Sequence, residues 1–489
     1  MKQNHIIQKV FVEITINNKE KAYNIKDDIN SFLSIDVFPE IEKYINALEY
    51  KLTDQTLQIP RLELNLDVKN SSLNTELKDK IAQLFKEELT EITKPVGISS
   101  PKTESESKAY LVDNQEKMIQ TFIYFLEKGY MPWWNSDNKG ITFLESAIFD
   151  TLISTNNFSK SIIPVLSKQN VKDRIISQLS NEQIVQLCLS VLKDKELNIN
   201  LEIDIIHQIS KLSHPDRLIV WRLVLNVISQ YLTKSNNNLQ EYLLQELLKI
   251  ESFSAGLLEL KKQRQNWKTI VKIFPFIKED EMLESIKNNA TDNPEKVKIS
   301  VEKAHQKNAI SSEILTQKSE DSSQNDGQYI QNAGLILIHP FIKTFFEHCD
   351  LLDPKTQKLI DPELCAHLLH YIATGKTHAP EYDMVFEKFL CNIPMNQTIN
   401  RHIKLSRKHK AQAKNVIESV QHNWSSMRKS SVELLQNEFF QRSGKLVVTD
   451  YDHTLTVERK TQDILLEKLA WGIGLVKFPW KEKFIFVNW

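Results

Sequence analysis

Glycine is scarce in this chain, 10 residues in 489, and no glycine-rich phosphate loop, G-x-S-x-G elbow or H-E-x-x-H helix occurs. Cysteine is scarcer still, four residues at Cys188, Cys349, Cys365 and Cys391. Such spacing excludes a disulfide framework and points to a reducing compartment. Neither sign of charge prevails: the formal net charge is −1, which argues against a nucleic-acid partner, since that needs a strongly basic domain. No window approaches 18 unbroken apolar residues, so no membrane span is expected, and the first 20 residues lack the apolar run of a signal peptide. A soluble protein made in the cytosol is the expectation.

What remains is 41% hydrophobic residues in a chain long enough for two to four domains. Straight-chain residues dominate and favour helix. Near the start, Val10, Val12, Ile14 and Ile16 alternate with polar residues. Leu62, Leu64, Leu66 and Val68 do the same, and a period of two predicts half-buried strands over 5–17 and 61–69. Between and after them, Phe38, Ile41, Ile45 and Leu48, then Leu73, Leu77, Ile81, Leu84, Phe85, Leu89 and Ile92, recur at helical spacing, with Pro39 suited to a first helical turn. Successive helices with short breaks follow. Ser180 and Gln183 have capping-box spacing, Pro215 stands near a helix start, and Gly129 and Gly375 close helices. The fold class is mainly α with α+β ends. It comprises an N-terminal α+β unit (1–94), a linker (95–108), a central region of helical hairpins (109–290), a flexible linker (291–328) and a C-terminal α+β docking domain (329–489) with two β-hairpins.

One stretch invites a chemical reading. "KLVVTDYDHTLTVERK" at 445–460 sets Asp450 and Asp452 in a D-x-D-x-T pattern, which looks like the nucleophile motif of haloacid dehalogenase-type phosphohydrolases. Two carboxylates two apart can hold Mg²⁺. That fold needs further strands and motifs downstream, and the 39 residues after Asp450 leave no room for its crossovers. The stretch therefore reads as a hairpin: strand 445–449, polar turn 450–453, return strand 454–459. Cys365, His367, His370 and His378, with His348 and Cys349 upstream, contain zinc-type ligands but no standard spacing, so structural histidines on an amphipathic helix are expected. No catalytic residue, cofactor or metal is expected.

Partner-binding candidates are of two kinds. The run 401–414 carries Arg401, Lys404, Arg407, Lys408, Lys410 and Lys414 without an acid. It reads either as a solvated helix face or as a patch for an acidic partner. Trp133 and Trp134 after Pro132, and Trp471 and Trp480 near the end, read either as plugs and staples of a core or as surface anchors.

Several stretches together resemble the tape measure protein family of bacterial contractile injection systems, the phage-tail-like particles. They are "HIIQKVFVEI" and "IPRLELNLDV", "YFLEKGYMPWW", "LSNEQIVQL", "NAGLILIHPFIKTFF", "HLLHYIATGK", "FLCNIP", "SVELLQNEFFQRSGKL" and "LAWGIGLVKFPW" through "FVNW". The resemblance implies a structural and assembly protein that sits in the growing tube, contacts tube, spike or baseplate proteins, and sets tube length. It implies assembly in the bacterial cytoplasm, residence in the particle, and a homo-oligomer inside the tube as one arrangement. A soluble helical adaptor or chaperone for baseplate or effector subunits is the alternative, and a phosphohydrolase a remote one.

Overall fold

The computed structural model describes residues 6–15, 19–49, 55–59, 61–66, 73–92, 110–135, 142–193, 195–233, 238–253, 268–278 and 327–489. The linker expected at 95–108, and that at 291–328 save its last two residues, lie outside them, as do Ile16 and Val68. The chain divides into two units, Met1–Gln120 and Thr121–Trp489. The central helices and residues 327–489 thus share one unit.

In the first unit, α1 (Lys19–Phe32) runs through a π-helical turn (Leu33–Val37) into α2 (Phe38–Glu49). Pro39 has no N–H to give and its ring crowds the carbonyl four residues back; the widened turn lies immediately before it. α3 (Thr75–Ile92) starts where the Asn74 Oδ1 accepts from the Leu77 N–H at 3.0 Å. The expected stripes meet in one core: Phe38, Ile41 and Ile45 of α2 pack with Leu77, Ile81, Phe85 and Leu89 of α3 and with Leu73 just before it. The side chains of Leu48 and Ile92 lie outside the described residues.

The strands differ from expectation. Residues 6–15 and 61–66 join no ladder among the described residues. The described pair is β1 (Gln55–Gln58) with β2 (Tyr110–Asp113), antiparallel. Alternation specifies which face is buried, not which strand lies alongside. Leu62 and Leu64 do pack on the core, so 61–66 fulfils its pattern without a ladder.

α4 (Asn114–Lys128) leads into the second unit and stops at Gly129, whose φ of +87° favours glycine. Then come α5 (Ser146–Ser154), α6 (Phe158–Ile162), α7 (Gln169–Gln178), α8 (Asn181–Leu192), α9 (Ile203–Ser210), α10 (His214–Thr233) and α11 (Leu239–Phe253). Ser180 and Gln183 form the reciprocal capping box at the head of α8. α5 packs on α8, and α10 on both α7 and α11. Phe122 is ringed by Phe143, Phe149 and Phe158 at 5.7, 6.1 and 6.3 Å between ring centroids. Arg217 of α10 donates to the carbonyls of Ile176 (2.6 Å) and Leu179 (2.9 Å), satisfying orphan acceptors where α7 ends.

Within residues 327–489, helices cover one face of a sheet. α12 (His339–His348), α13 (Pro362–Thr374), α14 (Val385–Leu390) and α15 (Arg407–Asn423) share a core with the inward residues of the strands, among them Leu446, Leu455, Val457, Ile485 and Val487. α13 is capped by Asp361, whose Oδ1 accepts from Leu364 N at 3.0 Å, and is closed by Gly375 at φ +70°. The strands β3 (Gln328–Ile330), β4 (Gly444–Val448), β5 (His453–Val457), β6 (Leu475–Val476) and β7 (Ile485–Asn488) lie in the order β3-β4-β5-β7-β6. All neighbours are antiparallel except β5 and β7. Gly334, in the buried 3₁₀ segment Ala333–Ile338, lies so close to Phe439 that an added Cβ would stand 1.6 Å from its carbonyl oxygen.

Candidate docking site

The β4–β5 hairpin places the D-x-D-x-T pattern. Gly444 to Val448 pairs with His453 to Val457, so residues 449–452 make the turn. Asp450 is exposed at its tip, and the Asp452 carboxylate accepts from the Thr449 hydroxyl at 3.0 Å. Both carboxylates are turn residues, and Asp452 is bound to its own turn. No cluster of three or more metal-ligating side chains occurs among the described residues.

The basic run divides. Arg401 is half-buried, with its backbone N–H on Ser177 O (3.1 Å) and its guanidinium on Gln178 O (3.4 Å). Lys408 reaches the Asp350 carboxylate at 2.5 Å, and Lys410 lies 5.9 Å from the centre of the Tyr371 ring. Lys414 pairs with Glu418 at 3.5 Å. Lys404 and Arg407 are exposed. α15 begins at Arg407 with no acid in its first turn. Its cations therefore crowd the end of the helix where the backbone dipole is already positive.

The tryptophans are mostly inside. Trp480 is 8% exposed, donates to Leu390 O at 2.8 Å, stacks on Phe478 and meets Phe346 at a tilt. Trp471 donates to Leu337 O at 2.9 Å and meets Phe341 edge-on. Trp133 and Trp134 form an edge-to-face pair 5.7 Å apart, backed by Tyr124, and both are half-buried. Three of these indoles thus close packing within their own unit. Each is fixed by a carbonyl or by a ring neighbour.

The histidine cluster on α13 is buried and partnered within the chain. His367 Nε2 lies 2.8 Å from Asn400 O, and burial pushes its pKa down to about 4. His370 Nδ1 stands 2.9 Å from Glu387 Oε1, which also accepts from Asn332 at 2.8 Å. Cys365 is fully buried, and burial raises its thiol pKa.

Sequence reasoning missed three buried charged groups. The first links the central helices to the C-terminal segment. Arg174 of α7, Glu381 and Lys388 of α14 are all fully buried. Glu381 takes Arg174 Nε at 3.0 Å and Lys388 Nζ at 2.7 Å. Arg174 also donates to Leu126 O and Asn396 O, and Lys388 to Met395 O and Gln397 O. Gly129 flanks the triad, where a Cβ would stand 2.5 Å from Glu381 Oε1. The second group is Arg442, fully buried, with Asp463 at 2.8 Å; Asp463 in turn accepts from the Trp489 indole at 3.1 Å. The third is Lys481, which bonds Phe389 O (2.6 Å) and Asn392 Oδ1 (2.9 Å) and lies 3.9 Å from the Phe389 ring centre. The available signal was charge inside an otherwise apolar run, as Glu387 and Lys388 stand in "VFEKFL".

These features describe a molecule whose charges and aromatics are spent on holding its own segments together. The family described as contractile injection system tape measure protein matches residues 4–489. The chain belongs to that family. The match spans both units, including the hairpin, so the D-x-D-x-T pattern falls inside a structural family. No curated protein and no solved structure matches the chain. No helix among the described residues is long and apolar enough to cross a membrane.

Proposed function

We propose that this tape measure family member sets tube length from within the lumen of a contractile injection particle, assembling in the bacterial cytoplasm and remaining in the particle. The observation that carries the reading is the family match over residues 4–489. An α-helix rises about 1.5 Å per residue, so the roughly 180 residues of 109–290 encode about 270 Å when opened into one helix. In the structure α10 folds back on α7 and α11. The ruler therefore requires opening, with the tube wall supplying replacement contacts. Lys404, Arg407 and the exposed part of Trp133 are the docking points for tube, spike or baseplate proteins. An acidic partner surface over the head of α15 would relieve the charge crowded there.

The test is particle length measured by electron microscopy. Inserting about 60 helical residues between α10 and α11 is expected to lengthen particles by about 90 Å, and excising residues of the central region to shorten them. Intact particles of unchanged length would defeat the ruler and leave the adaptor or chaperone reading.

A further inference from the structure

The buried apolar residues of 327–489 form one cluster, from Ile330 to Val487, and among the described residues no buried side chain of the central helices belongs to it. Tyr130, half-buried, leans on it from the helical side. One ring crosses the other way: Tyr382 meets Phe125 edge-on at 5.0 Å and Phe143 at 6.5 Å. The helices keep an apolar centre of their own, the rings about Phe122.

What joins the two is mostly polar. Besides the triad of Arg174, Glu381 and Lys388, Gln178 of α7 donates to Ile399 O at 2.8 Å and accepts from the Glu381 N–H at 2.9 Å. The Arg401 N–H donates to Ser177 O at 3.1 Å, and Gln328 reaches Met131 O at 3.4 Å. Arg174 and Gln178, one turn apart, lie on the same face of α7. An apolar seam resists parting in proportion to its area. The groups of a polar seam regain water on both sides when it opens, so the balance is small and is set by how well the charges pair while it is closed. Interfaces of that composition permit motion of the bodies they join.

We propose that this seam is a releasable latch, closed by the buried triad, which parts to free the central helices from residues 327–489 while each side keeps its own core. The inference rests on the length-setting reading for its purpose, since a ruler folded against the C-terminal segment must first come away from it. Its test does not: the latch is read on the isolated chain, tube length on particles.

The test is amide hydrogen exchange of the full chain in low urea. The Glu381 and Arg401 N–H groups bond across the seam and report its opening. The β4–β5 ladder reports loss of the C-terminal core. In the parent, the seam amides are expected to exchange faster than the ladder and with a shallower urea dependence, because parting exposes little apolar surface. Glu381→Gln should accelerate Arg401 by about a hundredfold, since it leaves buried cations unpaired in the closed form alone. Asp463→Asn breaks the Arg442 pair inside the C-terminal segment. It weakens closed and open forms alike, so it should accelerate the ladder and leave Arg401 unchanged. Should Glu381→Gln fail to fold, Gln178→Leu removes two neutral bonds, keeps the ions paired and should accelerate Arg401 about tenfold. Seam amides as slow as the ladder, an equal urea dependence, or Arg401 and the ladder accelerating together in Asp463→Asn overturns the latch. A latch found here with particles of unchanged length would sink the ruler alone.

Discussion

Replacing Glu381 by Gln changes almost no volume and removes one charge. In the parent chain the carboxylate accepts from two buried cations, Arg174 at 3.0 Å and Lys388 at 2.7 Å, and no member of the triad touches solvent. After Glu381→Gln those cations face one another with only neutral acceptors, the amide oxygen and the backbone carbonyls, and no counter-charge. Breaking a buried pair by removing one partner costs about 3–5 kcal/mol, because the remaining charge stays desolvated. Burial already pushes the Lys388 pKa down, and the Glu381 carboxylate holds it up. The variant should therefore shed part of the cost by releasing the Lys388 proton, so its deficit shrinks as pH rises. The assay is urea unfolding followed by Trp fluorescence, with Lys388→Met added to the variant. The pair sits in direct contact, so the effects should be non-additive and the double variant should recover a large part of the loss. A Glu381→Gln chain within about 1 kcal/mol of the parent, or a double variant worse than the single by the sum of both, would refute the claim that this triad holds the segments together.

Two further outcomes follow from single residues. Burial lowers the Lys481 pKa from 10.5 to about 8. Below about pH 8 both folded and unfolded chains carry this proton, and the folded chain bears the cost of burying it. Between about 8 and 10.5 the unfolded chain alone keeps it, so stability rises with pH there, by up to about 3 kcal/mol. Lys481→Met should lack that slope in paired pH–stability curves, and identical slopes would show that the ammonium is not desolvated. Gly334→Ala should cost more than about 4 kcal/mol, since its Cβ meets a backbone oxygen that has no rotamer to yield; a melting temperature within about 2 °C of the parent would contradict that packing.

Much of the helical frame was legible because its signals are local. The capping box at Ser180, the left-handed stops at Gly129 and Gly375 and the apolar stripes of α2 and α3 each lie within a few turns of sequence. The hairpin around Asp450 was equally local, and its edges agree within about two residues. The ladders of the first unit were not legible, because alternation in 6–15 and 61–66 carries no information about a neighbour. Nor were the buried ions, since Arg174 and Glu381 stand 207 residues apart and a charged residue in a helix reads as solvated until its partner is known. The division of the basic run was hidden for the same reason: Arg401, Lys408 and Lys410 find acceptors or a ring elsewhere in the chain, while Lys404 and Arg407 stay exposed.

The position of β7 carries a consequence for how the chain is made. It lies between β5 and β6, so the inner ladder of the five-stranded sheet waits on residues 485–488. A nascent chain emerging from the ribosome can form the β4–β5 hairpin early but must hold β5 open along one side until nearly all of this sequence has been translated. A product that stops before residue 485 would keep that gap and leave β5 with an unpaired edge inside the sheet.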